Sequence, residues 1–255
     1  MEWQALVLAG SRGSSDPVAA HAGIAHKAFV PIAGKPMIEH VVQTLEGAAN
    51  IRDIAVSIET DALALPPSTT RLDAASSPAS SVLSALDHLD TPLLITTADN
   101  PLLRGDTLAH FLEESANSDA DILAAVSPRD VVEKADKPGK RTYIKFSDHH
   151  VSGCNLFAVK TQRGRNAIAF WRRLEQNRKK PWKMASEISY LALFKYLIGS
   201  LDSKQAIRGL EEKMDCKASL IFLDDPYAAH DVDKPEDLAF AERCLQRDQT
   251  KRIAQ

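Results

Sequence analysis

The sequence predicts an α/β fold, a Rossmann-like three-layer sandwich with helices on both faces of a mostly parallel, mixed central sheet. Three observations predict it. Short apolar runs alternate with amphipathic segments, the rhythm of repeated strand–helix–strand units. The first such run, residues 5–8, leads directly into the turn Gly10-Ser11-Arg12-Gly13. A later run, residues 93–97, stops at Ala98-Asp99-Asn100-Pro101. That leaves a carboxylate at the carboxyl end of a buried strand, the edge where ligands of open α/β sheets collect.

The remaining elements follow from periodicity. Residues 37–45 read as a helix with Pro36 at its first turn, a position where the missing N–H costs nothing. Residues 54–58 form a second strand, and 80–89 a helix with Val82, Leu83, Leu86 and Leu89 on one face. Beyond the 93–97 strand come a helix at 108–115 and a strand at 122–126. Residues 128–140 are charged and carry Pro138-Gly139, which predicts an exposed loop. Strands at 142–146 and 155–159 then flank a polar turn, 147–153. Helices at 163–177 and 184–197 and a late strand at 220–223 complete the second half. A last helix starts near Pro235, with Leu238, Ala241 and Leu245 on one face. No repeat or long linker interrupts the pattern, so a single domain over 1–255 is expected.

Composition narrows the class. The 255 residues are 44% hydrophobic and 25% charged, enough for a full core and far from disordered, collagen-like or disulfide-scaffold compositions. With 31 Lys+Arg against 34 Asp+Glu, the net charge of −3 argues against a broad nucleic-acid surface. Cys154, Cys216 and Cys244 are odd in number and form no CxxC pair, which predicts a reducing compartment and no zinc site. The N-terminus has no basic leader pattern. The most apolar stretch, 188–201, is too short to span a bilayer and contains Lys195. A soluble, cytoplasmic protein is expected.

The chemistry concentrates at the first turn. Leu8, Ala9, Gly10, Ser11 and Gly13 bring successive backbone amides to a point where the chain turns sharply, an arrangement that cradles phosphate oxygens. Arg12 adds a bidentate phosphate donor. The spacing matches neither GxGxxG nor GxxxxGK[ST], which excludes the dinucleotide fingerprint and the P-loop. Lys27 precedes the apolar stretch Ala28-Phe29-Val30-Pro31-Ile32, whose burial would pin the lysine while its ammonium faces a triphosphate. An ordinary strand-to-loop connection and a solvated lysine are the plain alternatives. His21, His26, His149 and His150 have no carboxylate or cysteine at ligand spacing, so surface positions are expected.

Four motifs in order carry a resemblance. They are Leu6-Val7-Leu8-Ala9-Gly10-Ser11-Arg12-Gly13, Lys27 followed by Gly34-Lys35-Pro36-Met37, Leu94-Ile95-Thr96-Thr97-Ala98-Asp99-Asn100-Pro101-Leu102, and Asp231-Val232-Asp233-Lys234-Pro235-Glu236-Asp237-Leu238. Together they resemble the MobA-like nucleotidyltransferases, the group that includes molybdenum-cofactor guanylyltransferase and the cytidylyl- and sugar-phosphate nucleotidyltransferases. The chain departs from the usual pattern in an earlier turn arginine, in thirteen residues between Gly13 and Lys27, and in Lys234 where threonine is usual.

The resemblance implies a nucleotide-binding half, about 1–127, and an acceptor-binding half, about 128–255. It implies Lys27, Asp99 and Arg12 as catalytic groups and Mg²⁺ (or Mn²⁺) as cofactor, bound by Asp99 and by Asp233, with Asp231 in reserve. Mg²⁺ commonly takes one or two protein carboxylates beside phosphates and water. Asp233 is also a ready N-cap with Glu236 as capping-box partner, and Asp99 before Asn100-Pro101 is compatible with plain turn chemistry. Ser80 and Ser81 match the segment that contacts the base, although Ser80 is equally placed as an N-cap. Tyr143, Lys145 and Asn155 are the acceptor-side candidates; alternation along a strand puts Tyr143 and Lys145 on one face.

The implied reaction transfers NMP from an NTP, CTP or GTP favoured, to a phosphorylated small molecule with release of pyrophosphate. A nucleotide-sugar-dependent glycosyltransferase and a catalytically silent nucleotide-binding protein are the alternatives. Partners are then the NTP and the acceptor, with no nucleic acid. The basic run from Arg172 to Lys183, with Trp171 and Trp182, is a candidate for peripheral contact with an anionic membrane, a lid over substrate, or a solvated helix end.

Overall fold

The computed structural model describes residues 1–11, 15–59, 64–135, 141–177 and 190–253. In chain order the elements are β1 (Trp3–Leu8), α1 (Pro17–Ala22), β2 (Pro31–Ile32), β3 (Lys35–Pro36), α2 (Met37–Glu46), β4 (Ile51–Ile58), β5 (Thr69–Asp73), α3 (Pro78–Ala85) and β6 (Leu93–Thr97). They continue with α4 (Gly105–Asn117), β7 (Ile122–Pro128), α5 (Arg129–Val132), β8 (Ile144–Lys145), β9 (His150–Val159), α6 (Arg165–Asn177), α7 (Tyr190–Leu197), α8 (Ser203–Met214), β10 (Ala218–Phe222) and α9 (Pro235–Ile253).

The main sheet runs in the order β10-β7-β9-β6-β1-β4-β5, with β8 paired to β9. β1 lies between β4 and β6 and is parallel to both. β9 runs antiparallel between β6 and β7, which makes the sheet mixed. Residues 3 and 5–7 of β1 have no exposed surface, as a parallel strand covered on both faces requires. Its alternate residues feed two cores. Trp3, Ala5 and Val7 pack with Val41 and Leu45 of α2 and with Phe111 and Leu112 of α4. Leu6 packs with Val82 and Leu83 of α3 and Ile168 and Phe170 of α6. The three-layer sandwich follows directly from that alternation.

A third, smaller cluster joins Val18 of α1, Val30, Ile32, Met37, Val232 and Phe240 of α9. It seats the β2–β3 hairpin against the last helix. The hairpin turns through Ala33 at φ 48° and Gly34 at φ 83°, both left-handed, as a two-residue turn matched to strand twist demands. Close packing fixes one more glycine. A Cβ at Gly164 would stand 2.5 Å from the Asp121 carbonyl oxygen, so the β9–α6 connection admits no side chain there.

The strands and helices read from periodicity are present with shifted ends: the 54–58 strand gains three residues at its start, whereas the 80–89 helix stops at Ala85 and the 142–146 strand is only Ile144–Lys145. Two readings are corrected. The stretch 128–140 does not begin as an exposed loop: β7 runs to Pro128 and α5 follows, burying Val131, Val132 and Ala135. Two apolar residues among charges are enough because they sit directly under β9. The polar stretch 147–153 is not all turn, since β9 starts at His150; its first residues pair with β8 on one side and with the end of β7 on the other. Residues 136–140 and 184–189 of the expected loop and helix lie outside the described residues. Helices α1 and α8 and strand β5 were not read from the sequence. β5 is a half-exposed edge strand with no run of buried residues, and α1 and α8 begin at capping aspartates, Asp16 and Asp202. No helix among the described residues is long and apolar enough to cross a membrane. All three cysteines are buried thiols.

Phe111 is fully buried where α4 meets the sheet. Phe111→Ala should lower the unfolding free energy by about 3–5 kcal/mol, read from urea denaturation at unchanged slope. A loss below about 1 kcal/mol would remove α4 from the core.

Candidate active site

The carboxyl ends of the adjacent strands β1, β4 and β6 open onto one edge of the sheet. Their loops start from a shared ladder: Ala98 N–H donates to the Leu8 carbonyl and Ala9 N–H to the Ser57 carbonyl, each at 2.9 Å. Just beyond β6, Asp99 is fixed by Thr97, whose hydroxyl donates to Oδ1 at 2.5 Å. The other carboxylate oxygen, Oδ2, accepts from Lys27 Nζ at 2.6 Å. Lys27 opens a one-turn 3-10 helix, Lys27–Phe29, and its ammonium also donates to Asp233 Oδ1 at 3.0 Å. Burial works against the charge on Lys27, but Asp99 and then Asp233 outweigh it and hold its pKa above the usual lysine value.

The segment before α9 brings the acidic residues in. Val232 N–H donates to the Asp99 carbonyl at 2.9 Å, and the Val232 side chain turns into the α9 cluster. Its neighbours Asp231 and Asp233 reach Arg141 and Lys27. Asp231 Oδ1 accepts from Arg141 Nη1 at 2.5 Å, and Asn155 Nδ2 lies 3.4 Å from Oδ2. Burial, then the charges of Asp233 and Asp99, push the Asp231 carboxyl above its ordinary value, against the pull of Arg141. Arg141 also reaches Asp237 Oδ1 at 3.1 Å. Three carboxylates, an ammonium and a guanidinium thus meet at one sheet edge.

The residues expected from sequence fall into four groups. Lys27, Asp99, Asp233, Asp231 and Asn155 come together as described. Leu8 ends β1, Ala9 follows it, and Gly10 and Ser11 form the start of the turn; Arg12 and Gly13 lie outside the described residues. Ser80 and Ser81 sit inside α3, where Ser81 Oγ accepts from Ala75 N–H at 2.9 Å. The α3 N-cap is Ser77, whose hydroxyl oxygen accepts from Ser80 N–H, so the capping alternative for Ser80 is corrected. The capping alternative for Asp233 is corrected as well. Asp237 accepts from the Asp233 and Lys234 N–H groups at 3.2 and 3.1 Å, which leaves the Asp233 carboxylate to Lys27. Tyr143 packs at the core margin under Arg129, 5.6 Å from its ring centre, while Lys145 is exposed on β8.

Sequence reading missed Arg141, Glu59 and the role of His26. Glu59 Oε1 accepts from Ser11 N–H at 2.8 Å, and Oε2 pairs with His26 Nε2 at 3.1 Å. His26 is thus not a surface histidine: its side chain is 14% exposed. Among the described residues no three His, Cys, Asp or Glu form a ready-made metal cage; the cation between Asp99 and Asp233 is Lys27 itself.

His230 is 1% exposed and stacks on Phe240 with ring centres 4.9 Å apart. Burial, and next the Arg141 charge, push its imidazole down to about 4 from 6.5. As pH falls the unfolded chain takes up this proton first. Stability present above about pH 6.5 is therefore lost progressively toward pH 4, by roughly 3 kcal/mol. Urea unfolding at about pH 7 and pH 4.5 should show a smaller loss for His230→Phe than for the wild type; equal losses would contradict the buried neutral ring.

Comparison with known proteins identifies the family. The family model for the MobA-like NTP transferase domain matches residues 5–184. A 2-C-methyl-D-erythritol 4-phosphate cytidylyltransferase from Pseudomonas fluorescens is 28% identical over 128 residues, 45% of this chain and 54% of that protein. The chain therefore spans about half the length of this curated relative. A hypothetical transferase from Thermus thermophilus has 27% identity and a TM-score of 0.81, covering 93% of this chain and 100% of that one. Two more structures share the fold at low identity. A CMP:2-keto-3-deoxy-manno-octonic acid synthetase complexed with CTP has 11% identity, TM-score 0.58, and covers 97% of this chain and 100% of that one. The 2-C-methyl-D-erythritol 4-phosphate cytidylyltransferase of Thermus thermophilus has 14% identity, TM-score 0.53, and covers 96% of this chain and 100% of that one. With the family match spanning most of the chain, the protein belongs to the MobA-like NTP transferase domain family and hence to the nucleotidyltransferases.

Proposed function

We propose that the chain transfers a nucleoside monophosphate, with CTP the favoured donor, to a phosphorylated small molecule and releases pyrophosphate. The observation that carries this reading is the meeting of Lys27, Asp99 and Asp233 beside the turn after β1. Attack on the α-phosphate develops negative charge on the α-phosphoryl and leaving oxygens, so the site must offer cations and amides in fixed places. Lys27 supplies one such charge. The acceptor phosphate is already an adequate nucleophile, and positioning does the rest without a covalent intermediate. The favoured donor follows the cytidylyltransferase name of the curated relative.

Mg²⁺ fits the donor set: carboxylate oxygens are hard ligands, and this ion needs only one or two of them beside phosphates and water. Asp99 and Asp233 would hold it, with Asp231 kept by Arg141 as a neighbouring charge. When bound, the ion neutralises phosphate charge. Asn155, which faces Asp231 from β9, and the exposed Lys145 would be the residues that meet the acceptor. Pyrophosphate release should be followed with each NTP against a panel of sugar and polyol phosphates. Asp99→Asn should reduce it by at least about a hundredfold with little change in melting temperature; near-normal release would contradict the assignment.

A lipid-linked form of the acceptor is the second reading, favoured by one observation. Of the eight large hydrophobic side chains exposed among the described residues, Leu193, Phe194, Tyr196, Leu197 and Ile198 lie on or just after α7, and Ile144 and Phe222 on β8 and β10. Such patches mark interaction surfaces, and the basic run from Arg172 to Lys183 precedes this one in the chain; residues 178–183 lie outside the described residues. Vesicles containing phosphatidylglycerol should retain the protein at low salt, and Phe194→Glu/Leu197→Glu should abolish retention. Retention equal to that on neutral vesicles would remove this reading.

A further inference from the structure

We propose that Glu59 and His26 are positioning residues that tie Ser11, where the chain enters the turn after β1, to the Lys27 helix, so that this stretch and the ammonium meet the triphosphate as one preformed unit. The inference rests on the function proposed above. Glu59 is the first residue after β4. One of its oxygens accepts from Ser11 N–H at 2.8 Å and the other pairs with His26 Nε2 at 3.1 Å. On the far side of the ring, His26 Nδ1 accepts from Ala28 N–H at 3.2 Å and caps the 3-10 helix that presents Lys27.

The two ends of the imidazole fix its proton. A backbone N–H points at Nδ1, so Nδ1 carries no hydrogen; a carboxylate faces Nε2, so Nε2–H donates to it. The result is a continuous chain from Ser11 N–H through Glu59 and His26 to Ala28 N–H, with Lys27 between the last two residues. Its surroundings hold it in place. The Phe29 ring meets His26 edge-on at 5.5 Å, Ala28 is buried, and a Cβ at Gly10 would stand 3.8 Å from Glu59 Oε1. Burial raises the Glu59 carboxyl, but the Ser11 N–H and His26 outweigh it and keep it below the ordinary range.

An exposed pair of this kind contributes little to stability, since the Glu59 side chain is 45% exposed. What it joins are two phosphate-facing elements that approach from separate parts of the chain, and catalytic geometry depends on such supporting bonds.

Two variants separate the lock from its parts. His26→Asn keeps a cap for Ala28, because asparagine is a good N-cap, but is too short to reach Glu59. Glu59→Gln offers an N–H to Nε2 and so moves the ring proton to Nδ1, which removes the cap. Both should leave the melting temperature within about 2 °C, raise KM for CTP about tenfold and leave the acceptor KM unchanged. Nitrogen-15 NMR of the free wild type should place the His26 proton on Nε2, and amide exchange at Ser11 should accelerate in Glu59→Ala. A proton on Nδ1, slow exchange in Glu59→Ala, or an unchanged KM for CTP in His26→Asn would overturn the lock. If the nucleotide reading itself fails, none of the four NTPs binds the wild type, and the tautomer and exchange measurements in the free protein still decide whether the lock exists.

Discussion

Asp99 and Asp233 reach the same point from positions far apart in the chain, and Lys27 Nζ stands between them at 2.6 and 3.0 Å. One ammonium thus serves two carboxylates through charge-assisted hydrogen bonds. Removing that cation would leave like charges in a partly buried place, a far larger loss than the pair's net contribution to stability. Much of the sheet edge follows from this demand. β6 must end where Thr97 can fix one Asp99 oxygen, the 3-10 helix must turn Lys27 inward, and the chain before α9 must be tied by Val232 N–H to the Asp99 carbonyl. Arg141 then answers the third carboxylate, Asp231, and Asp237 with one guanidinium.

The fold was legible because its strands are buried on both faces. Continuous apolar runs such as residues 93–97 admit few other interpretations, and the helices between them show one-sided periodicity. Asp99 and Lys27 were legible for related reasons, one as the polar stop of a buried strand and the other as the polar start of an apolar stretch. Elements whose stability comes from tertiary contact were not. α5 buries only Val131 and Val132, too little to register against its charges. β5 has no buried residue in its five.

Within the site, the residues that escaped reading are those whose meaning lies in a distant partner. Arg141 sits in a charged stretch and pairs with Asp231, ninety positions away. Glu59 follows a strand as any solvated acid does, and only the return of the chain to Ser11 and His26 gives it work. Local rules also competed. Asp233 stood in a good capping position, yet it is Asp237 that accepts from the Asp233 and Lys234 N–H groups, while the Asp233 carboxylate accepts from Lys27.

The central claim is that the turn, Lys27 and the carboxylates form a nucleoside triphosphate site. It is tested most directly by the melting temperature with CTP, with and without Mg²⁺, in the wild type and in Lys27→Met. A ligand that binds only the native state stabilises it by about 2.7 kcal/mol at a hundredfold excess over Kd. The account predicts an upward shift in the wild type that requires Mg²⁺ and is lost in Lys27→Met. An absent shift with all four NTPs, or one that survives loss of the lysine, would contradict it.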